Sequence, residues 1–396
     1  MSDTATDRDH ARLAPILAGV VTALVGFTSS FVVVLTGLRA VGASPAQAES
    51  GLVVLCLLQG VAMIALARRH RIPIALAWST PGAAVLASTG PVDGGWPAAV
   101  GAFVVVGVLI VLTGLITALG DLVAAIPVPL ARAMLAGVLL PLCLAPVTAL
   151  ADSPGFVAPV VLTWLVMHRV SRRWAVPASL GVALAIIAVD AGGRLQAGDV
   201  LPSLTLTTPS WTPAALVSIA LPLYVVTMAS QNVPGVAIMR AFDYRVPWRE
   251  SMGVTGVATM LGAPFGGHAV NLAAITAALG AGPTAGPDRD RRWLSSITAG
   301  SLYLVLAGAA GLLTALVAAA PDGVVQAAAG LALLGTLASA LGESLADPSE
   351  REAAAVTLLV AASGVTVAGI GAAFWALVAG LVVRAVVRER VSSSAA

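Results

Sequence analysis

The residues able to do chemistry in this sequence stand in three short polar runs set in otherwise apolar sequence. The first is Trp78-Ser79-Thr80-Pro81-Gly82-Ala83. The second runs from Tyr224 to Gly235 and holds Ser230, Gln231 and Asn232 in succession. The third, Ala263 to Asn271, contains Pro264, Phe265, Gly266, Gly267, His268 and Asn271. Proline lacks an amide donor and clashes with the preceding turn, so a helix is expected to start at Pro81 rather than run through it. The Pro264, Gly266 and Gly267 cluster predicts a second helix start near Gly266 to Ala269. A helix start offers unpaired amide groups and a positive dipole end, which suits an anion. Neither broken run contains Asp or Glu, and a fixed carboxylate there would repel an anionic ligand. The competing reading makes each cluster a kink or a tight packing point between helices.

Gln231 and Asn232 are costly in lipid unless they face protein or a cavity, which makes them candidates for a binding site. Thr28, Ser29 and Ser30, in Gly26-Phe27-Thr28-Ser29-Ser30-Phe31, serve interhelical hydrogen bonds as readily as ligand contact. His268 is the one ionisable residue placed well inside an apolar segment, and so the candidate for proton coupling. The alternative is a satisfied polar group at a helix start. No phosphate-binding loop, metal-spaced His cluster or Ser/His/Asp arrangement is present, so no enzyme activity, cofactor or metal is expected. Cys56 and Cys143 lie in apolar stretches without partners nearby in sequence and read as small core residues.

The elements that position these runs are membrane spans. Hydrophobic residues make up 58% of 396 positions and charged residues 10%, against roughly 25% charged in a soluble domain. The expected fold is an all-α polytopic membrane protein of about 14 spans. They are placed near 13–38, 45–67, 72–88, 95–118, 128–149, 154–168, 174–190, 211–236, 247–263, 267–281, 293–319, 323–342, 353–367 and 369–387. With the amino terminus inside, nearly all arginines fall on the cytoplasmic side, including Arg68, Arg69, Arg71, Arg169, Arg172 and Arg173. Arg39 and Arg194 are left outside, together with acidic loop residues such as Asp190, Asp199 and Asp322. Both termini are therefore read as cytoplasmic. Trp96, Trp174, Trp211, Trp248 and Trp293 at span ends are expected at the lipid interface. The polar stretch 191–213 divides the chain into residues 1–190 and 214–396, each with an odd span number, so a structural duplication would be an inverted 7+7 repeat. The broken runs then lie in the third and tenth spans, the positions that mark a transporter's site.

The runs Ala77-Trp-Ser-Thr-Pro-Gly-Ala83, Leu221 to Gly235 and Ala263 to Thr276 resemble the BenE family of benzoate transporters, with similarity over essentially the whole chain. The resemblance implies proton-coupled uptake of benzoate or a related aromatic carboxylate across the bacterial inner membrane. It also implies a core domain of spans 1–4 and 8–11 and a gate domain of spans 5–7 and 12–14. The third and tenth spans would each combine a short extended segment with a half-helix, and substrate would lie between them, with Ser79 to Ala83 and Gly266 to Ala269 holding the carboxylate. Phe27, Phe31, Tyr224 or Phe265 would pack against the ring, and a protonated His268 would pair with the carboxylate. Thr28, Gln231, Asn232 and Asn271 complete the expected site. A homodimer in the lipid bilayer is an expectation of the fold, and no nucleic-acid partner is expected. A same-fold carrier of another small anion or a nucleobase, or an anion channel, remains the alternative.

Overall fold

The computed structural model describes residues 3–191, 201–274 and 276–394. Part of the predicted dividing stretch, including Arg194 and Asp199, lies outside the described residues. The first half contains α1 (Asp3–Thr28), α2 (Phe31–Ala40), α3 (Pro45–His70), β1 (Leu76–Trp78), α4 (Thr80–Thr89), α5 (Gly95–Leu115), α6 (Thr117–Ala124), α7 (Val128–Asp152), α8 (Pro154–Val170) and α9 (Arg172–Ala191). The second contains α10 (Pro213–Ala241), α11 (Trp248–Gly262), β2 (Val270–Leu272), α12 (Ala277–Ala281), α13 (Trp293–Gly308), α14 (Ala310–Ala318), α15 (Val324–Ser344), α16 (Arg351–Ala362) and α17 (Ala372–Ser394). Every predicted segment coincides with a helix, a helix pair or a strand followed by a helix. Among the described residues 7 helices are long and apolar enough to cross a membrane, or 8 if the residues 289–318, bent by 55°, form one span.

Local chemistry sets the element ends. α3 opens with a capping box, in which Ser44 accepts from the Gln47 amide and the Gln47 side chain accepts from the Ser44 amide. It closes on Arg71 at φ 55°, with Arg68, Arg69 and His70 in the last turn complementing the negative dipole end. Pro73 follows, and the chain becomes extended. β1 then pairs antiparallel with β2, with Leu76 opposite Leu272, Ala77 opposite Asn271 and Trp78 opposite Val270. In lipid a strand needs its backbone partners within the protein, and each of these strands supplies them to the other.

The helices pack as two groups. α3 lies along α13 and α5 along α11; α1 covers α13, and α2 covers α4. In the other group α7 packs on α15 and α16, α16 on α17, and α8 on α9. Small residues permit the close approaches: a Cβ added at Gly60 would stand 2.8 Å from the Gly300 carbonyl oxygen.

Residues 201–212 form an extended strap over one end of the first group. The Ser203 amide donates to the Glu49 carboxylate at 2.7 Å, Thr205 to Ser50 Oγ at 2.9 Å, Thr207 to the Pro264 carbonyl at 2.7 Å, and Ser210 to that of Pro97 at 2.9 Å. Trp96, expected at the lipid interface, is instead buried, and its indole donates to Thr207 Oγ1 at 3.0 Å. The polar strap outcompetes the interface for that N–H. Trp293 likewise lies beneath the Arg71 guanidinium, 4.3 Å from its ring centroid.

Candidate functional site

The site is built on Ser79, which engages each of its polar groups. Its amide donates to the Ala269 carbonyl at 3.0 Å, extending the strand pair. Its hydroxyl oxygen caps α4 by accepting from the Gly82 amide at 3.1 Å, and accepts from Thr227 Oγ1 at 2.8 Å. Its carbonyl meets His268 Nε2 at 3.0 Å. Pro81 in the first turn of α4 leaves one fewer amide to satisfy. The predicted helix start in the first half is therefore present where expected.

The second helix start differs. Gly266 adopts φ 95° after the 3-10 turn Ala263–Phe265, and the following residues extend into β2. Helix resumes only at α12, after Thr276, whose side chain makes no capping hydrogen bond. Gly266 and Gly267 are thus turn and packing residues. A Cβ on Gly266 would stand 2.9 Å from the Gln47 carbonyl oxygen of α3, and the Phe265 carbonyl accepts from Ser50 at 2.8 Å. From its residues alone the Gly cluster reads as a helix start, because a strand inside a membrane is marked mainly by its partner; the extended segment was implied by the family resemblance.

Beside the strand pair lies a cavity of about 350 Å³, within the range of small-molecule sites. Its floor is Gly26, Ser29, Ser30, Ala77, Trp78, Thr80, Pro81, Gln231 and Thr276; its far wall is Trp164, Val176, Leu331, Gly335 and Thr336. Trp78 is held in place as its indole donates to Ser30 Oγ at 2.8 Å, with Phe27 at 5.6 Å and Tyr303 at 6.0 Å between ring centroids. Gln231 lines the cavity and accepts from the Ala274 amide at 3.4 Å through Oε1; no hydrogen bond within the described residues engages its amide nitrogen. The π-helical turn Met228–Asn232 turns Gln231 toward the cavity and Asn232 toward β2. No Asp or Glu lines this space; its charged lining residues are Arg172 and Arg173.

The predicted residues divide accordingly. Thr80, Pro81 and Gln231 reach the cavity, with Ser79 and Gly82 immediately behind them. Phe27 is buried behind Trp78, stacked on Phe31 at 5.1 Å, and Thr28 bonds to the Leu24 carbonyl within its own helix. Tyr224 turns to α5, where it shares a 2.5 Å hydrogen bond with Thr113. Asn232 accepts from the Leu272 amide at 2.8 Å and so braces β2. Asn271 is buried in β2 and its amide, oriented to satisfy its neighbours, accepts from Ser79 N–H at 2.9 Å and donates to the Leu272 carbonyl at 2.8 Å. Phe265, Gly266 and Gly267 stay with α3. His268 is fully buried outside the cavity lining, its Nδ1 unpartnered and its ring 6.4 Å from that of Phe103. Its side-chain hydrogen bond is to the Ser79 carbonyl, so it stands behind the cavity lining rather than in it. Sequence reasoning passed over Trp164, Thr276 and Thr336, and took Arg172 and Arg173 as topology markers only.

The BenE family, described as benzoate membrane transport protein, matches residues 9–386. The chain belongs to that family. As a BenE-family chain it is a membrane transporter and not an enzyme. It is 40% identical over 368 residues to the inner membrane protein YdcO of Escherichia coli, covering 92% of this chain and 93% of that protein. It is 28% identical over 374 residues to the benzoate membrane transport protein of Acinetobacter baylyi, covering 93% and 94%. Among solved structures it is similar to the transmembrane domain of the cyanobacterial bicarbonate transporter BicA, with a TM-score of 0.57 at 15% identity, covering 93% of this chain and 97% of that one. It is also similar to SLC26A9, with a TM-score of 0.62 at 11% identity, covering 96% and 65%. At such identities the BenE-family chain shares their fold, and its site has to be read from its own residues.

Proposed function

We propose that the chain is a secondary transporter carrying benzoate or a similar aromatic carboxylate into the cell together with protons, across the inner membrane. The observation that carries this reading is the cavity between the strand pair and α8, α9 and α15. Its lining is mostly apolar and includes Trp164, the edge of the buried Trp78, Gln231 and the start of α4 at Thr80, with no carboxylate. A carboxylate would rest at the α4 start and Gln231, with its ring against Trp78.

The fold is proposed as about fourteen membrane segments in two inverted halves. The packing supports it. Exchanging each segment with its counterpart in the other half turns the α3–α13 pair into α11–α5, and turns α8–α9 into α16–α17. It leaves α7–α15 and β1–β2 paired as they are. The two packed groups would then be the core and gate domains, and the cavity lies where they meet. With the termini cytoplasmic, it runs from the strand pair to the loop at Ser171 and faces the cytoplasm. Transport would proceed by moving the core, with its strand pair, past the gate.

The coupling proton is proposed to act through His268 on the Ser79 carbonyl or to travel on the substrate. In proteoliposomes with an imposed pH gradient, radiolabelled benzoate should accumulate and be displaced by benzoate analogues. Displacement by uracil or sulfate alone would overturn the substrate assignment, and flux that only dissipates the gradient would indicate a channel. His268→Ala should keep counterflow exchange and lose pH-driven accumulation; undiminished accumulation would take His268 out of the proton route.

A further inference from the structure

The far end of the cavity holds the residues for which the transport reading has no role. Arg172 and Arg173, at the start of α9, line it and are exposed, and no hydrogen bond or ion pair within the described residues engages either guanidinium. Three other arginines are engaged by carboxylates: Arg69 binds Glu250 at 2.7 Å, Arg132 binds Glu343 at 2.8 Å, and Arg384 grips Glu350 with Nε 2.8 and 2.9 Å from its two carboxylate oxygens. His168, also at this mouth, packs its ring on Trp164 with centroids 4.7 Å apart. In the inverted arrangement the counterpart of this turn is the one between α16 and α17, residues Ser363 to Gly371, which has no charged residue. The counterpart turn therefore carries none of the charge that Arg172 and Arg173 bring to this one.

Resting on the anion-transport reading above, we infer that Arg172 and Arg173 form an electrostatic trap for the carboxylate substrate, tightening binding from the side where they stand and braking uptake once product has accumulated there. Two uncompensated guanidinium groups beside a low-dielectric cavity concentrate anions at its mouth and are screened by salt. Both arginines belong to α9, in the group that packs apart from the strand pair. A site that moves with the strand pair meets them in one conformation and leaves them in the other. The trap thus changes affinity on one side rather than overall.

The test uses the full-length protein in right-side-out and inside-out membrane vesicles, with labelled benzoate as the probe. Apparent KM is measured from each side at low and high ionic strength. The double variant Arg172→Gln with Arg173→Gln should raise the cytoplasmic-side KM about tenfold at low salt, and leave the outer-side KM unchanged. In the wild type, added salt should erase most of the same difference. Arg172→Lys with Arg173→Lys should keep wild-type values, which separates loss of charge from loss of fold. Arg169→Gln removes a charge from the last turn of α8, outside the cavity lining, and should change neither side. An unchanged cytoplasmic KM, an equal rise on both sides, or an equal effect of Arg169→Gln would overturn the trap. Wild-type vesicles that carry sulfate but not benzoate would refute the substrate reading alone, and the sided comparison repeated with sulfate would then decide the trap.

Discussion

Ser79 and Trp78 concentrate the chemistry of the site in two adjacent residues. Ser79 ties β2, the α4 start, α10 and His268 to one point. Ser79→Ala removes the cap and strands the Thr227 hydroxyl, so it should lower stability by about 1–2 kcal/mol. A reduced unfolding temperature in detergent checks this. Trp78→Ala removes the buried ring that Phe27, Tyr303 and Ser30 hold beside the cavity and should weaken benzoate binding about tenfold, read by titration of the purified protein. Unchanged affinity would move the ring to another wall. The polar runs were legible in the sequence because Ser, Thr, Gln, Asn and His are rare in apolar segments. Which way each faces was not. Tyr224 and Asn232 share a helix with Gln231, but that helix is buried nearly all round, so no apolar stripe marks its cavity side. The π-helical turn shifts the faces again. Arg172 and Arg173 escaped notice because arginine at a cytoplasmic loop already has a sufficient cause.

At the scale of elements, Pro81 and Ser79 announced α4, whereas Gly266 and Gly267 announced a turn that resembles a helix start. The distinction lies in β2, whose only recognisable mark is its partner far away in sequence. Gly266→Val should accordingly destabilise the protein through its left-handed backbone and the Gln47 carbonyl. The expected signature is a lower unfolding temperature with substrate preference intact, and altered preference at full stability would return Gly266 to the binding surface. The π-helical turn Met228–Asn232 is in effect an α-helix with one residue to spare. Deleting Ala229 should restore regular helix and rotate the residues on either side by about 100° relative to one another. Gln231 and Asn232 could then no longer serve the cavity and β2 at once. The variant should still reach the membrane but show no thermal stabilisation by benzoate; retained stabilisation would mean that the turn has no part in placing Gln231.

Across the whole molecule, the order of apolar segments was readable from hydropathy, since the bilayer imposes it on sequence directly. The partition of helices into two packed groups was not readable from that signal, because lipid-facing and protein-facing surfaces are equally apolar. Resemblance alone supplied the expectation of a core and a gate. The strand pair has one more consequence, for the birth of the protein. While the ribosome is still making the second half, β1 sits at membrane depth with its backbone groups unmatched, and Ser50 waits for both Thr205 and Phe265. Lipid cannot substitute for them. Residues 1–190 made alone should therefore be cleared by quality-control proteases, and co-expression of residues 191–396 should rescue them. The two halves would mature together, with the chain's last-arriving strand completing the first.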